Sequence, residues 1–270
     1  MWPLEMMAQV EMNSGPSYWG MHSQVDRPTG VDGFTLNPAQ LAVSEGVGIS
    51  MIHRNPYRIE GFQQSLLAVA KSLRHAGWGA LWGREAVAGF QGNRWGLAYA
   101  KNLGGLQMGI QFNYLQNTAI GYSKQEAFFA DLGVSARLKQ NFCWGIFIQN
   151  PVGGKFWGIS TENVATLFRV FAGYQFSPLL HSECQVQKKV GGLTDWKIGL
   201  RYQPYPHYIF KIGFAHSGDH PFLEIGWRWQ HWIIAVGGES HQLLGMSYGL
   251  SLHMWIPRNE TDASLSNVGL

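Results

Sequence analysis

The most constraining feature of this chain is a series of short segments that alternate apolar residues with polar residues or glycine. Fourteen such segments follow one another at even spacing between residues 46 and 255. Strict alternation places one residue type on each face of a β-strand. In residues 222–230, one face carries leucine, isoleucine and two tryptophans, and the other carries glutamate, glycine, arginine and glutamine. The sequence therefore predicts an all-β fold.

The composition indicates that the apolar face of these strands meets lipid. Charged residues make up 14% of the chain, against roughly 25% in soluble domains. No stretch approaches the ~18–20 uninterrupted apolar residues of a membrane helix. A closed barrel is the other structure that satisfies every backbone hydrogen bond in a bilayer, and its polar face lines the interior. We therefore predict a transmembrane, antiparallel, up-and-down β-barrel of fourteen strands, or of twelve if two weak segments merge.

The predicted strands are separated by short and long connections in turn. They cover residues 46–55, 63–72, 77–86, 93–101, 105–116, 125–138, 141–149, 163–176, 179–189, 194–203, 207–215, 222–230, 231–238 and 244–255. Connections after even-numbered strands are short and those after odd-numbered strands are mostly longer, which is typical of periplasmic turns and external loops. Both termini are therefore predicted to be periplasmic in the outer membrane of a Gram-negative cell. Residues 62–74 could equally form an amphipathic helix.

The predicted barrel occupies residues 46–255, and three further segments lie outside it. Residues 1–8 are interpreted as the remnant of a signal peptide, the alternative being that the chain is not exported. Residues 9–45 contain prolines and glycines without alternation, which predicts an irregular segment in or under the lumen. Residues 256–270 are interpreted as a polar tail. Cys143 and Cys184 fall on opposite faces of their strands, so we expect no disulfide between them.

Charged residues on the polar faces are predicted to point into the lumen. They are Arg84, Asp131, Arg137, Arg169, Lys197, Arg201, Lys211, Glu224 and Arg228. The first interpretation is a charge-paired filling, in which the two carboxylates lie beside basic partners because an unpaired buried charge is costly. The alternative is a basic selectivity lining that favours anionic solutes. The net charge of +3 is too small to indicate nucleic acid.

One loop carries residue types that are common in active sites and metal sites. Residues 216–220 contain His216, Ser217, Asp219 and His220, which would suit a hydrolase at the outer rim or a metal site. Glycine and aspartate are also ordinary turn residues, and we prefer that interpretation. No phosphate loop, zinc-ligand spacing or nucleophile elbow is present. The sequence therefore predicts no enzyme activity, no cofactor and no metal.

The residues just before the first strand resemble a known family. Residues 35–42, Thr-Leu-Asn-Pro-Ala-Gln-Leu-Ala, resemble the Asn-Pro-Ala-x-Leu-Ala segment of the PorV/PorQ family of Bacteroidetes outer-membrane proteins, and more distantly of the FadL fatty-acid transporters. Residues 94–100 and 147–152 resemble a glycine-aromatic fourth strand and an Asn-Pro after a mid-barrel strand. The chain departs from the family pattern at residues 19–28, where a glycine- and alanine-rich run is usual, and it is shorter than a typical FadL protein.

The resemblance implies an accessory component of type IX protein secretion, or of a related outer-membrane complex, that binds a protein partner. The implied latch between the N-terminal segment and the barrel consists of Asn37, Pro38, Ala39 and Leu41. The implied partner loop is 150–162, with Asn150, Pro151, Phe156 and Trp157, the two aromatics being exposed anchors. Besides outer-membrane lipid, the alternative partner is a small hydrophobic molecule carried by a FadL-like transporter. That alternative requires an apolar path or a lateral gap, which we would expect at kinks near 77–79 or 104–105.

Overall fold

Fourteen antiparallel strands close on themselves into a barrel, which confirms the predicted fold and strand number. The computed structural model describes residues 31–43, 45–73, 75–138, 141–157, 163–216 and 220–257. The strands are β1 (Gly46–Asn55), β2 (Gln63–Ser72), β3 (Ala76–Val87), β4 (Phe90–Leu103), β5 (Leu106–Ala119), β6 (Gln125–Leu138), β7 (Phe142–Gln149), the two-residue β8 (Phe156–Trp157), β9 (Leu167–Ser177), β10 (Leu180–Lys189), β11 (Thr194–Tyr205), β12 (Tyr208–Ala215), β13 (His220–Trp229), β14 (Trp232–His241) and β15 (Gly245–Pro257).

Closure comes from pairing of the first strand with the last. Gly46 of β1 pairs with Pro257 of β15, and the antiparallel register continues to Asn55 and Tyr248. β8 lies outside this circuit and pairs only with β6. The segment that could have formed a helix is the strand β2. Because every barrel strand has a neighbour on both sides, no open edge exposes unpaired backbone groups to lipid.

The two faces of the wall are arranged inside out relative to a soluble barrel. On β13, the outward Leu223, Ile225, Trp227 and Trp229 are 44–56% exposed, whereas the inward Glu224 is buried. The same division recurs around the barrel, with large apolar side chains outward and polar ones buried in the lumen. This is the arrangement that lipid outside and a polar interior favour.

The two ends of the barrel differ in their connections. One end, the short-turn end, carries the turns 73–75, 104–105, 139–141, 178–179, 206–207 and 230–231. The opposite end, the long-loop end, carries the other connections, including 56–62, 120–124 and the longest, 150–166. The chain enters β1 and leaves β15 at the short-turn end.

The N-terminal segment forms two short helices inside the barrel. Val31–Leu36 is α-helical, and Pro38–Ala42 is a 3-10 helix that begins after Asn37. Asn37 has an extended backbone and its side chain accepts a hydrogen bond from the amide of Ala39, while Pro38 takes the first helical position. Asparagine at the N-cap and proline at the first helical position both favour the start of a helix. We call residues 31–43 the plug. In the described part of the chain, no helix is long and apolar enough to cross a membrane.

Candidate functional site: the plugged lumen

The plug lies against inward-facing glycines of the barrel wall. A Cβ atom added to any of five of them would come within 3 Å of a plug atom: Gly48, Gly77, Gly79, Gly109 and Gly133. Gly109 and Gly133 are register partners on β5 and β6, and they face Pro38 and Asn37. Since any side chain at these positions would occupy the space of the plug, the glycines form its seat.

Asn37 connects the plug to the wall. Its Nδ2 donates hydrogen bonds to the carbonyl oxygens of Val134 on β6 (3.2 Å) and Ile146 on β7 (3.4 Å). Its Oδ1 accepts from the Ala39 amide at 3.0 Å, so one fully buried side chain both starts the 3-10 helix and contacts two strands. The implied latch residues Pro38, Ala39 and Leu41 are also fully buried at this contact. A second connection comes from Arg169, whose Nη1 donates to the Leu36 carbonyl at 3.3 Å.

An apolar strip runs along the inner wall beneath the plug. It consists of Ile52, Leu66, Ala68, Ala70, Leu81, Ala98 and Ala100, contributed by β1 to β4. Val31, Phe34 and Leu41 of the plug cover it, and all of these side chains are buried together. Sequence reasoning missed this strip. The available signal was the run Leu-Leu-Ala-Val-Ala at 66–70, where both faces of a strand are apolar.

A buried polar network lies in the lumen beside the strip. Arg94 Nη2 on β4 forms an ion pair with Asp131 Oδ2 on β6 at 2.8 Å, and Asn113 Nδ2 on β5 donates to the same oxygen at 2.8 Å. The backbone N–H of Asn150 donates to Asp131 Oδ1 at 3.2 Å. Elsewhere in the lumen, Arg54 pairs with Glu239. These contacts give the Asp131 carboxylate, fully buried, the partners that burial of a charge requires.

Most of the predicted lumen charges lie on the inner face. Asp131, Arg169, Lys197, Arg201 and Glu224 are buried there. Lys211 and Arg228 are partly buried, and Lys211 Nζ pairs with Glu224 Oε1 at 2.7 Å. Arg137 occupies an inward position near the short-turn rim, where its side chain is exposed. Both carboxylates thus have basic partners, as the charge-paired filling predicts.

Arg84 is a correction to the predicted lining. It is exposed on the outer face of β3, where its Nη2 donates to Gln91 Oε1 at 3.4 Å. Its neighbour Glu85 is the inward, buried residue and accepts from Gln64 Nε2 at 3.2 Å. The prediction was wrong because it assigned Arg84, and not its neighbour Glu85, to the inward face of the strand. An outward charge near the end of a strand can reach water, so polarity alone does not assign its face.

The partner loop also departs from its predicted form. Phe156 is buried against Ala127, Phe129 and Val164, so the prediction of an exposed Phe156 is wrong. Trp157 is exposed and contacts the Phe128 ring at a centroid distance of 5.6 Å. The reason is that β8 pairs with β6, and strand alternation then sends adjacent side chains to opposite faces.

Asn150 is buried within this loop and forms hydrogen bonds to other loop residues, so it is not part of the outer surface. It is buried, with a positive φ of 48°, which asparagine tolerates better than most residues. Its Nδ2 donates to the Val164 carbonyl at 2.6 Å, and its Oδ1 accepts from the Gly154 amide at 2.7 Å. Pro151 beside it is exposed. Residues 158–162 of the predicted loop lie outside the described residues.

The other predictions concern two glycine-rich sites, the loop at 216–220 and the two ends of the chain. β3 pairs continuously with β2 and β4 through residues 77–79, so the wall has no lateral gap there, and residues 104–105 form the β4–β5 turn. His216 stacks on Trp196 at 5.3 Å. Ser217, Asp219 and the His220 side chain lie outside the described residues, as do residues 1–30 and 258–270, which include the predicted signal remnant and most of the predicted tail.

Comparison with known proteins shows the fold. No protein-family model and no curated protein matches this chain. Among solved structures, the Ralstonia pickettii toluene transporter TbuX is similar with a TM-score of 0.57 at 10% identity, covering 84% of this chain and 92% of that chain. The CymD monoaromatic hydrocarbon channel gives 0.57 at 12%, covering 84% and 92%. A Pseudomonas aeruginosa FadL homologue gives 0.57 at 10%, covering 89% and 98%. The chain has the fold of an outer-membrane β-barrel.

Proposed function

We propose that this protein passes small, largely apolar molecules across the outer membrane, with the plug as its gate. The observation that carries the proposal is the continuous apolar strip beneath the plug, which lies beside the buried charges of the lumen. This is the transporter alternative of the sequence analysis. It also agrees better than the secretion-accessory interpretation with the similar structures, two of which are described as a toluene transporter and a monoaromatic hydrocarbon channel.

The strip has the dimensions and chemistry of a path for an apolar molecule. From Leu66 to Ala70 it extends about 13 Å along β2, at ~3.3 Å per strand residue. Burial of apolar surface is favourable by about 25 cal/mol per Å². Binding of an apolar molecule to the strip is therefore favourable, whereas binding among the charges is not. Phe34 and Leu41 now occupy that surface. A molecule could replace them only if the plug moves.

The plug is connected to the wall in a way that permits such movement. Asn37 and Arg169 join it to the barrel through side-chain hydrogen bonds, and neither contact replaces a strand-to-strand pairing. The pairing of β1 with β15 closes the wall independently of the plug. We therefore propose that the plug shifts while the barrel remains closed.

The first prediction tests the strip with a matched pair of substitutions. Leu66→Gln places an amide in the strip, whereas Ile209→Gln places the same group at a buried inward position on β12, outside the strip. We expect Leu66→Gln to lower toluene uptake into proteoliposomes about tenfold, since burial of a leucine side chain is worth about 1.5–3 kcal/mol. Ile209→Gln should retain the wild-type rate. Equal loss in both variants, or in neither, would exclude the strip as the path.

A second candidate function is the accessory role in type IX secretion or a related complex. The observation that favours it is a set of apolar side chains on the long-loop end: Ile120, Val152, Leu193 and Leu243 are 83–94% exposed. Each of the four belongs to a different loop of that end, so together they offer several apolar contact points to another protein. We propose that a partner of the secretion machinery would cover these side chains.

The second prediction separates this role from transport. Wild-type protein purified from outer membranes in mild detergent should carry a stoichiometric protein partner, and the double variant Val152→Asp, Leu193→Asp should lose it while remaining folded. Ala88→Asp, at an exposed turn residue of the same end that lies outside this set, serves as the control. A monomer that carries only a bound hydrophobic molecule would contradict the accessory role and support transport.

A further inference from the structure

A cavity of about 190 Å³ lies between the 3-10 helix of the plug and the wall at the short-turn end. Gln40 and Val43 line it from the plug, and the remaining lining belongs to β5, β6 and β7. We call it the short-turn cavity. It is separate from the apolar strip, which is formed by β1 to β4.

The strand register places this cavity directly below the seat of the plug. Gly109 of β5 pairs with Gly133 of β6 at the contact with Pro38. The next inward pair towards the short-turn end is Gln107 with Ser135, and both line the cavity. Arg137 of β6, one inward step further, pairs with Cys143 of β7, and both line it too. A molecule that passes the plug towards the short-turn end would reach this cavity next.

The lining combines an uncharged interior with one cationic group at the rim. Val43 and Cys143 provide a small apolar surface, since a buried thiol behaves as a small hydrophobic group. Ser135 Oγ donates to Gln107 Oε1 at 3.3 Å, so these two polar groups bond to each other. Among the lining residues, Arg137 is the charged one, and its side chain is exposed at the rim.

Size and chemistry together specify a class of ligand. An engineered cavity of about 150 Å³ holds a benzene molecule, so about 190 Å³ leaves room for a six-membered ring and a small substituent. A guanidinium has five N–H donors in a planar fork that fits a carboxylate. We infer that the short-turn cavity binds a small monocyclic carboxylate, with its ring against Val43 and Cys143 and its carboxylate at Arg137. This inference rests on the proposed transport function and names a substrate class for it.

Cys143 provides a direct test of binding in the full-length protein. In a Cys184→Ser background, which removes the exposed outward cysteine, Cys143 is the remaining thiol. The rate of its modification by methyl methanethiosulfonate is measured in detergent, with benzoate or toluene as the probe. We expect saturating benzoate to slow modification of Cys143 and toluene to do so less. Equilibrium dialysis of radiolabelled benzoate gives the affinity.

The third prediction concerns Arg137. Arg137→Gln should weaken benzoate binding about tenfold or more in equilibrium dialysis, because it removes a charge-assisted hydrogen bond. Arg84→Gln, an exposed arginine on the outer face, should retain wild-type binding. Ser135→Leu, which fills the cavity and keeps Arg137, should also abolish protection.

The outcomes separate this inference from the proposed function. Equal protection by toluene and benzoate, or full benzoate affinity in Arg137→Gln, would overturn the recognition of a carboxylate. Absence of protection by either probe would overturn the site itself. Loss of the distinction between Leu66→Gln and Ile209→Gln in toluene uptake would overturn the transport function while benzoate binding still stood.

Discussion

At the scale of single residues, Asn37 shows how one side chain determines where the plug lies. Its amide starts the 3-10 helix and reaches carbonyl oxygens on two strands, while Gly133 leaves the space that it needs. An aspartate would keep the acceptor for the Ala39 amide but would face the Val134 and Ile146 carbonyls without a donor. The preference for asparagine therefore follows from the need for a donor and an acceptor in one short side chain.

The fourth prediction is made at this residue. Asn37→Ala should speed hydrogen exchange in residues 31–43 about tenfold, since loss of an N-cap asparagine costs about 1 kcal/mol and the buried hydrogen bonds to the wall are lost as well. The melting temperature of the barrel should change little, because its strand ladder is intact. Asn102→Ala, which removes a turn hydrogen bond to the Gly105 amide, serves as the control. Unchanged exchange in residues 31–43 of Asn37→Ala would contradict the anchoring role.

At the scale of elements, the strands were predictable because lipid outside and polar groups inside impose a period of two. β2 is the informative exception. Its inner face packs against the plug and its outer face meets lipid, so residues 66–70 are apolar on both faces and the period disappears. The same residues therefore made a helix plausible and concealed the apolar strip. β8 has only two residues, too few to show a period, and the burial of Phe156 depends on its pairing with β6.

The candidate site was less predictable than the strands for a related reason. The latch residues came from a resemblance at 35–42, and alternation placed most lumen charges on the inner face. Alternation alone could not show which inward positions face the plug and which face other charges, because that depends on how the barrel curves. Gly109 and Gly133 illustrate this. A single glycine in a strand indicates that another group approaches the backbone closely, but it does not identify that group as the plug.

At the scale of the whole molecule, the plug and the charged side chains fill the lumen from opposite sides. The plug packs against β1 to β6 and β15, whereas the charges on β10 to β13 face it from the other part of the wall. Arg169 on β9 joins the two parts through the Leu36 carbonyl. The resting barrel should therefore conduct ions poorly.

The fifth prediction follows from this filling. Wild-type protein in a planar bilayer should show little conductance, and the double variant Phe34→Ser, Leu41→Ser should open frequent conducting events, because each truncation removes about 2–5 kcal/mol of plug packing. Val69→Ser, on the outer face of β2, provides the control and should stay closed. A large, steady wild-type conductance would contradict the plugged lumen. A double variant that remains closed would instead assign the barrier to the paired charges, and the gate would then have to be sought between β9 and β13.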